Sequence, residues 1–313
     1  MLKFGIVGAG IIGVNHQRAI EKNENCELVA ICDTVLERAI NLAKENPNIQ
    51  CFTDYKEMCE KVQMDAVVLN LPHFLHREVS VYFLEKGINV LVEKPMAMTK
   101  DECDAMINSS LKSGAKLAVG HVQRYLPIHN EIKKIIESKA LGKLCMITEM
   151  RNIDYLSPNR PGWFLKKKLS GGGIVMNYGA HTLDKIMYMT GEKVVEASSY
   201  LSNPLSDDDV EINAQILFKF TGDITAAVSY CGCHIPRTEA VSFFFTNGEI
   251  KVEYNKPVRM YINGELFEPE KSSVNSFDAQ IEEFVKLINN ETSFIATAQY
   301  GKEIIGALEK ILK

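Results

Sequence analysis

A chain of 313 residues with 35 basic and 40 acidic side chains, formal net charge −5, has no electrostatic reason to seek nucleic acid or an anionic membrane surface. Hydrophobic residues make up 46% and charged residues 24%, which excludes a disordered chain and leaves room for one large or two ordinary domains. Eight cysteines without a C-x-x-C pair, a strand-like run already at Lys3 and no apolar run of membrane-spanning length lead us to expect reduced thiols, no signal peptide and a cytoplasmic protein.

The first part of the chain alternates two patterns. KFGIV, ELVAIC, AVVLNL, INVLV and KLAVGHV are short, nearly continuous apolar runs, as expected of parallel strands covered on both faces. Helical patterns lie between them. Val35, Leu36, Ala39, Ile40 and Ala43 make one face, and Val79, Tyr82 and Phe83 another, with Gly87 and Gly114 where helix ends belong. This alternation predicts a doubly wound parallel sheet, an α/β dinucleotide-binding Rossmann domain over residues 1–123.

The pattern changes at about Arg124. A helix is expected over Pro127 to Ser138, then the strand LCMITEMR, a loop with Pro158 and Pro161, and a helical stretch through Asn177 to Met189. From Val194 the signals turn to strand: EINAQILFKF, DITAAVSYCG, AVSFFFT, EIKVEY and VRMYI. Thr221-Gly222-Asp223, Asn247-Gly248 and Asn263-Gly264 supply the turns. Residues 124–313 are therefore expected to form an α+β domain for substrate binding and oligomerisation, on an open, mainly antiparallel sheet. Of its two closing helices, one carries Phe277, Ile281, Phe284, Val285 and Ile288 on a face. The other, 297–312, carries Ile304, Leu308 and Ile311 and is a candidate to pack back on the first domain. AVSFFFT and AAVSYCG look apolar on both sides, so a second subunit is the expected cover.

GAGIIG at residues 8–13 follows a strand and opens a helix, and the next strand ends at Asp33, 33 − 13 = 20 residues further on. This is the context of a dinucleotide fingerprint, in which the acid about 20 residues later binds a ribose hydroxyl. Gly8 permits the tight turn, Gly10 the approach of the pyrophosphate and Gly13 close packing of helix on strand, with the backbone at Ile11 and Ile12 facing the phosphates. Asp33 would repel the extra phosphate of NADP, which favours NAD, while Arg38 softens that preference.

Ligands bind outside the carboxyl ends of such strands, so the residues that follow each strand are the expected cofactor contacts. They are Asn70, Leu71, Pro72, His73 and His76, then Glu93 and Lys94, then Gln123; Arg124 follows as a substrate contact. His73 and His76 suit a cofactor-side contact and a helix-packing residue rather than a metal pair. Lys94 has two readings by position alone: an ammonium that stabilises charge growing on a reacting oxygen, or a solvated strand-end lysine paired with Glu93. No metal site is expected. Lys166-Lys167-Lys168 is a solvated face, Asp207-Asp208-Asp209 a turn, and Cys231-Gly232-Cys233 with His234 falls short of four ligands.

GAGIIG, NLPHFLH, VEKPMAMT and GGGIVMNYGAH together resemble the glucose–fructose oxidoreductase, inositol dehydrogenase and rhizopine-catabolism dehydrogenase family (Gfo/Idh/MocA), over nearly the whole chain. The resemblance implies hydride transfer between NAD(P) and a secondary alcohol or ketone of a sugar, cyclitol or related polyol, in a homodimer or homotetramer built on the open sheet. It assigns Lys94 and His181 as catalytic residues and Pro95 to a position whose peptide bond is often cis. Asn177 stands where the sugar and cyclitol dehydrogenases usually have aspartate. At i, i+4 it shares a helix face with His181 and orients or binds substrate, but it takes no proton. Trp163 and Tyr155, in the loop before the triple glycine, complete the substrate set. Two other outcomes suit the same resemblance: glycoside cleavage by transient oxidation, and a non-catalytic nucleotide or sugar sensor.

Overall fold

The computed structural model describes residues 1–43, 46–255, 257–269 and 275–313. The chain forms two compact units, one of Met1–Tyr125 with Val274–Lys302, the other of Leu126–Ser273 with Glu303–Lys313. This corrects the expected division into 1–123 and 124–313: the first unit is discontinuous in sequence. The reason is the apolar face of one late helix, whose Ile281, Phe284 and Val285 are buried in the same core as Phe4, Ile6 and Ile20.

The first unit runs β1 (Leu2–Val7), α1 (Ile11–Lys22), β2 (Cys26–Cys32), α2 (Leu36–Ala43), β3 (Gln50–Phe52), α3 (Tyr55–Lys61), β4 (Ala66–Leu69), α4 (His73–Glu85), β5 (Asn89–Glu93), α5 (Lys100–Ser113) and β6 (Leu117–Gly120). The second unit begins with α6 (Pro127–Ser138), β7 (Leu144–Asn152), α7 (Lys167–Ser170) and α8 (Ala180–Thr190). It continues with β8 (Val194–Ser202), β9 (Asn213–Phe220), β10 (Thr225–Cys231), β11 (Thr238–Phe245), β12 (Gly248–Glu253), β13 (Arg259–Ile262) and β14 (Glu265–Phe267). The chain closes with α9 (Ser276–Ile288), β15 (Ala296–Thr297) and α10 (Ala298–Ile311).

The first sheet has the order β15-β6-β5-β4-β1-β2-β3, parallel except for β15, and is the expected doubly wound arrangement. Buried residues fill β4 and β6 from end to end, as strands covered on both faces require. Two strands lacked a sequence signal, three-residue β3 and two-residue β15. Gly114 caps α5 in the left-handed conformation, and Pro127 opens α6, both as expected. On α2 the expected face is rotated. Ala39, Leu42 and Ala43 pack inward, whereas Val35, Leu36 and Ile40 remain 44–48% exposed. Small alanines let this short helix lie close to the sheet, which turns the larger side chains outward.

The second sheet has the order β14-β13-β12-β11-β7-β10-β9-β8, antiparallel except where β10 meets β7. Asn263 and Gly264 have φ of +50° and +83°, the tight-hairpin conformation their sequence predicts. The Asn247-Gly248 turn is shifted by one: Gly248 already pairs with Phe245, leaving Thr246 and Asn247 as the loop. β10 and β11 each bury one face, with Val228, Tyr230, Val241 and Phe243 at 3% exposure or less. The opposite face carries Met146, Met150, Leu217 and Tyr200, all exposed in the single chain.

The buried face of this sheet holds four charges. Glu149 and Arg151 point inward from β7, Glu239 from β11 and Lys185 from α8, all at most 7% exposed. Lys185 Nζ lies 2.9 Å from Glu149 and 3.6 Å from Glu239; Arg151 contacts Glu239 and lies 3.6 Å from Glu149. Thr182 donates to Glu149 at 2.8 Å, and Tyr230 donates to Thr182 at 2.7 Å. Burial alone would raise the Glu149 pKa, but the two cations hold it below the usual carboxylate range. No helix among the described residues is long and apolar enough to cross a membrane.

Because the two cations match the two carboxylates, losing one leaves a buried charge uncompensated. Lys185→Met is expected to cost about 3–5 kcal/mol of stability, read as a lower urea midpoint at unchanged slope.

Candidate active site

In the first unit the glycines do what the fingerprint requires. Gly8 has φ +99°, and a Cβ there would lie 2.3 Å from the Asn70 carbonyl oxygen. A Cβ on Gly13 would lie 2.6 Å from the Gly8 oxygen, while Gly10 has nothing within 4 Å of its Cβ position. Tight turn, helix–strand contact and an open approach thus fall on the three glycines in the expected roles. No side chain caps α1 at Gly10, so its first N–H groups face outward beside Ile11 and Ile12, which are 86% and 40% exposed. Asn70 Nδ2 donates to Gly8 O at 3.4 Å, steadying the turn from the end of β4.

Asp33 is held in place by the backbone. Its Oδ2 accepts the Ala9 N–H and its Oδ1 the Val35 N–H, both at 2.9 Å. Arg38 approaches Oδ1 to 3.9 Å with its side chain mostly in solvent. The gap over Gly10, the unsatisfied helix start and the fixed carboxylate fit the pyrophosphate and ribose of a dinucleotide.

The ends of β4 and β5 are tied to each other. Pro72 precedes α4 with Leu71 half-buried beside it, and His73 is buried in its first turn, 5.7 Å from the His76 ring. His76 is fully buried, with Nδ1 2.8 Å from Pro95 O and Nε2 2.8 Å from Leu71 O. This corrects its assignment as a cofactor contact, because both ring nitrogens face protein carbonyls. The Lys94-Pro95 peptide is cis, as the resemblance implied. Glu93 also differs from expectation. Its Oε1 is 2.9 Å from His16 Nε2 and its Oε2 accepts the Lys94 backbone N–H at 3.2 Å, so its bonds go to the protein. Burial would raise the Glu93 pKa, but the His16 bond and the charges of His16 and Lys94 hold it low.

His16 was not singled out in the sequence. Its signal is its place three residues after Gly13, on the inward side of a helix that starts at the fingerprint. Lys94 and Gln123 are half-buried at this edge. Arg124 is turned away from it: at 5% exposure it donates to Phe294 O at 3.0 Å and stacks over the Tyr300 ring at 4.8 Å. That corrects its assignment to substrate, since a guanidinium so engaged braces the chain's return.

In the second unit the triple glycine delivers the site helix. A Cβ on Gly173 would lie 1.9 Å from the Glu211 carbonyl oxygen, so only glycine fits. Glu211 Oε1 accepts the N–H groups of Gly173 and Val175, at 2.8 and 3.0 Å, and caps the helix start. Burial raises the Glu211 pKa. Val175–Gly179 is wound as a π turn before α8 begins. Asn177 lies inside it and His181 just beyond, so the regular i, i+4 geometry expected of them is altered; π turns are concentrated at functional sites. Asn177 is 7% exposed and His181 half-buried.

Tyr155 is fully buried. Arg160 lies over its ring at 3.9 Å, and its hydroxyl is beside Asn177. Burial pushes this phenol's pKa up, so it stays protonated. This corrects its direct substrate role. Trp163 is half-buried, stacked on Phe164 with centroids 3.7 Å apart.

Residues 2–121 match the model of the "Oxidoreductase family, NAD-binding Rossmann fold", and residues 129–251 that of the "GFO/IDH/MocA C-terminal domain". The chain is 29% identical over 253 residues to 1-carboxy-3-chloro-3,4-dihydroxycyclo hexa-1,5-diene dehydrogenase of Comamonas testosteroni, covering 80% of this chain and 64% of that protein. It is 31% identical over 199 residues to D-glucoside 3-dehydrogenase of Escherichia coli (strain K12), covering 63% and 56%. The chain thus spans less than two thirds of either relative. Among solved structures, the WlbA dehydrogenase of Bordetella pertussis in complex with NADH and UDP-GlcNAcA shares the fold, with TM-score 0.86, 21% identity and coverage of 99% and 95%. With both domain models matched in order and together spanning most of its length, the chain belongs to the Gfo/Idh/MocA oxidoreductase family.

Proposed function

We propose that the protein is an NAD-dependent dehydrogenase that transfers a hydride between nicotinamide and a secondary alcohol or ketone of a sugar, cyclitol or related polyol. The observation that carries this reading is a lysine, Lys94, at the carboxyl end of the strand next to β4, in the same unit as a complete dinucleotide fingerprint. Bound NAD supplies the hydride acceptor. Lys94 stabilises negative charge on the substrate oxygen, and His181 takes or returns the alcohol proton. Asn177 orients the substrate and Trp163 borders it. Dehydrogenase names among the relatives support the reaction class.

NAD is the cofactor we assign, since Asp33 faces the ribose end with both oxygens fixed by backbone N–H groups and Arg38 is too exposed to neutralise it. The exposed Val35 and Leu36 beside it offer an apolar bank to the base. The open face of the second sheet is assigned to a second copy of the chain: Met146 and Met150 on β7 and Leu217 on β9 are apolar and exposed.

A second reading keeps the same residues, because transient oxidation needs the same hydride and proton transfers. In that reading transient oxidation acidifies a neighbouring C–H and a glycosidic bond is eliminated. Product analysis separates the two: cleavage without accumulation of NADH selects elimination.

Polyols, inositols and aldoses should be screened for NAD reduction, and keto-sugars for NADH oxidation. On the substrate so found, Lys94→Ala should lower kcat by about 10²–10⁴-fold with NADH affinity near wild type; unchanged turnover removes Lys94 from the chemistry. Asp33→Ala should shift the ratio of NADP to NAD use by about tenfold or more, and an unmoved ratio rejects its role. Leu217→Glu should lower the assembled mass in sedimentation velocity, whereas a wild-type monomer at working concentration excludes the sheet-face interface.

A further inference from the structure

The Lys94 side chain is a four-carbon stem on a turn, and its ammonium is only as well placed as its backbone. Both neighbours of Lys94 are bound by a buried histidine. We propose that His16 and His76 are positioning residues that fix Lys94, His16 through the Glu93 carboxylate and His76 through the Pro95 carbonyl. The proposal rests on the reading of Lys94 as the oxygen-stabilising group.

His16 comes from α1 and is 0% exposed. Its Nε2 lies 2.9 Å from Glu93 Oε1, and an ionised carboxylate has no hydrogen to give, so the imidazole donates. The other oxygen of the same carboxylate accepts the Lys94 N–H at 3.2 Å. Glu93 therefore bridges an imidazole and the peptide of the lysine it precedes. Gly120 on the neighbouring strand makes room, since a Cβ there would lie 2.9 Å from Glu93 Oε1. The edge of the His16 ring meets Phe277 of α9 at 5.1 Å and 89°, which limits its tilt.

His76 acts from the other side and from another helix. One ring nitrogen faces Pro95 O and the other Leu71 O, each at 2.8 Å. A neutral ring has a single N–H, and with that proton on Nδ1 it donates to Pro95 O and ties α4 to the residue after Lys94. Burying an imidazole is costly unless it is hydrogen-bonded. Two helices that start at the ligand edge each carry such a ring, and the rings reach the residues immediately before and after Lys94. Neither is exposed to a ligand, so each acts through the lysine.

The test uses full-length protein with saturating NADH and needs no substrate. Acetic anhydride acylates free amines, and peptide mass spectrometry gives the rate at Lys94 against the other lysines as a function of pH. His16→Leu and His76→Leu should each change the Lys94 rate several-fold and leave the other lysines as they were. His16→Gln, which keeps a donor, should restore most of the wild-type rate. Gly120→Ala crowds Glu93 without removing a buried donor and should reproduce the His16→Leu signature even where that variant fails to fold. An unchanged Lys94 rate in the folded variants, or a glutamine variant no better than leucine, overturns the proposal. Full turnover in Lys94→Ala instead rejects the catalytic reading of the lysine and leaves the clamp standing.

Discussion

A carboxylate taken out of water must be met by groups that hold its charge, and much of the first unit is arranged around meeting that demand at Glu93. An imidazole reaches it from α1, a backbone N–H from Lys94, and the space it occupies exists because residue 120 is glycine. The helix that satisfies Glu93 is also the helix that begins at the glycine fingerprint. The glycine turn and the imidazole that holds the residue before Lys94, separate along the chain, are thereby joined through one element.

The second unit solves a related problem in another way. Its sheet buries two carboxylates and two cations directly beneath the site helix, where Thr182 and Lys185 of α8 complete the set. Arg151 also stacks under Tyr178 at 4.6 Å, the residue next to Asn177. Such a group specifies geometry more than it adds stability: each charge has few acceptable positions, so strand and helix are set in one register. The π turn then departs from regular winding at the residue that departs from the family's usual acid.

The fold was legible wherever long periodic segments met clear punctuation. Alternating strands and helices, Pro127 at a helix start, Gly114 at a helix end and Asn263-Gly264 in a hairpin each state a backbone preference locally. Strands of two or three residues carry no period to recognise, so β3 and β15 were silent. The face of α2 was misjudged because periodicity locates an apolar stripe but does not say which part of it meets the sheet. The site followed the same divide. Glycine spacing and the place of Asp33 and Lys94 at strand ends were readable because they follow from backbone position, whereas position alone left Lys94 two roles. Arg124 and Tyr155 were expected at the substrate, but which way a side chain turns is decided by its partners, Phe294 and Tyr300 far along the chain for the one and the nearby Arg160 for the other. His16 was invisible for the converse reason, since its partner is 77 residues away.

The discontinuity of the first unit bears on how the protein is made. β15 pairs with β6 at the edge of the parallel sheet, and Ile281, Phe284 and Ile295 fill the core behind it. A nascent chain that has emerged only as far as Tyr125 has all six parallel strands but an open sheet edge and a gap where those side chains belong. Such an edge invites pairing with other strands. Most of the second unit, 126–273, must leave the ribosome before the segment that closes the first one exists. The nucleotide-binding half, though begun first, is thus sealed only when most of the chain has been made, shortly before 303–313 completes the second unit.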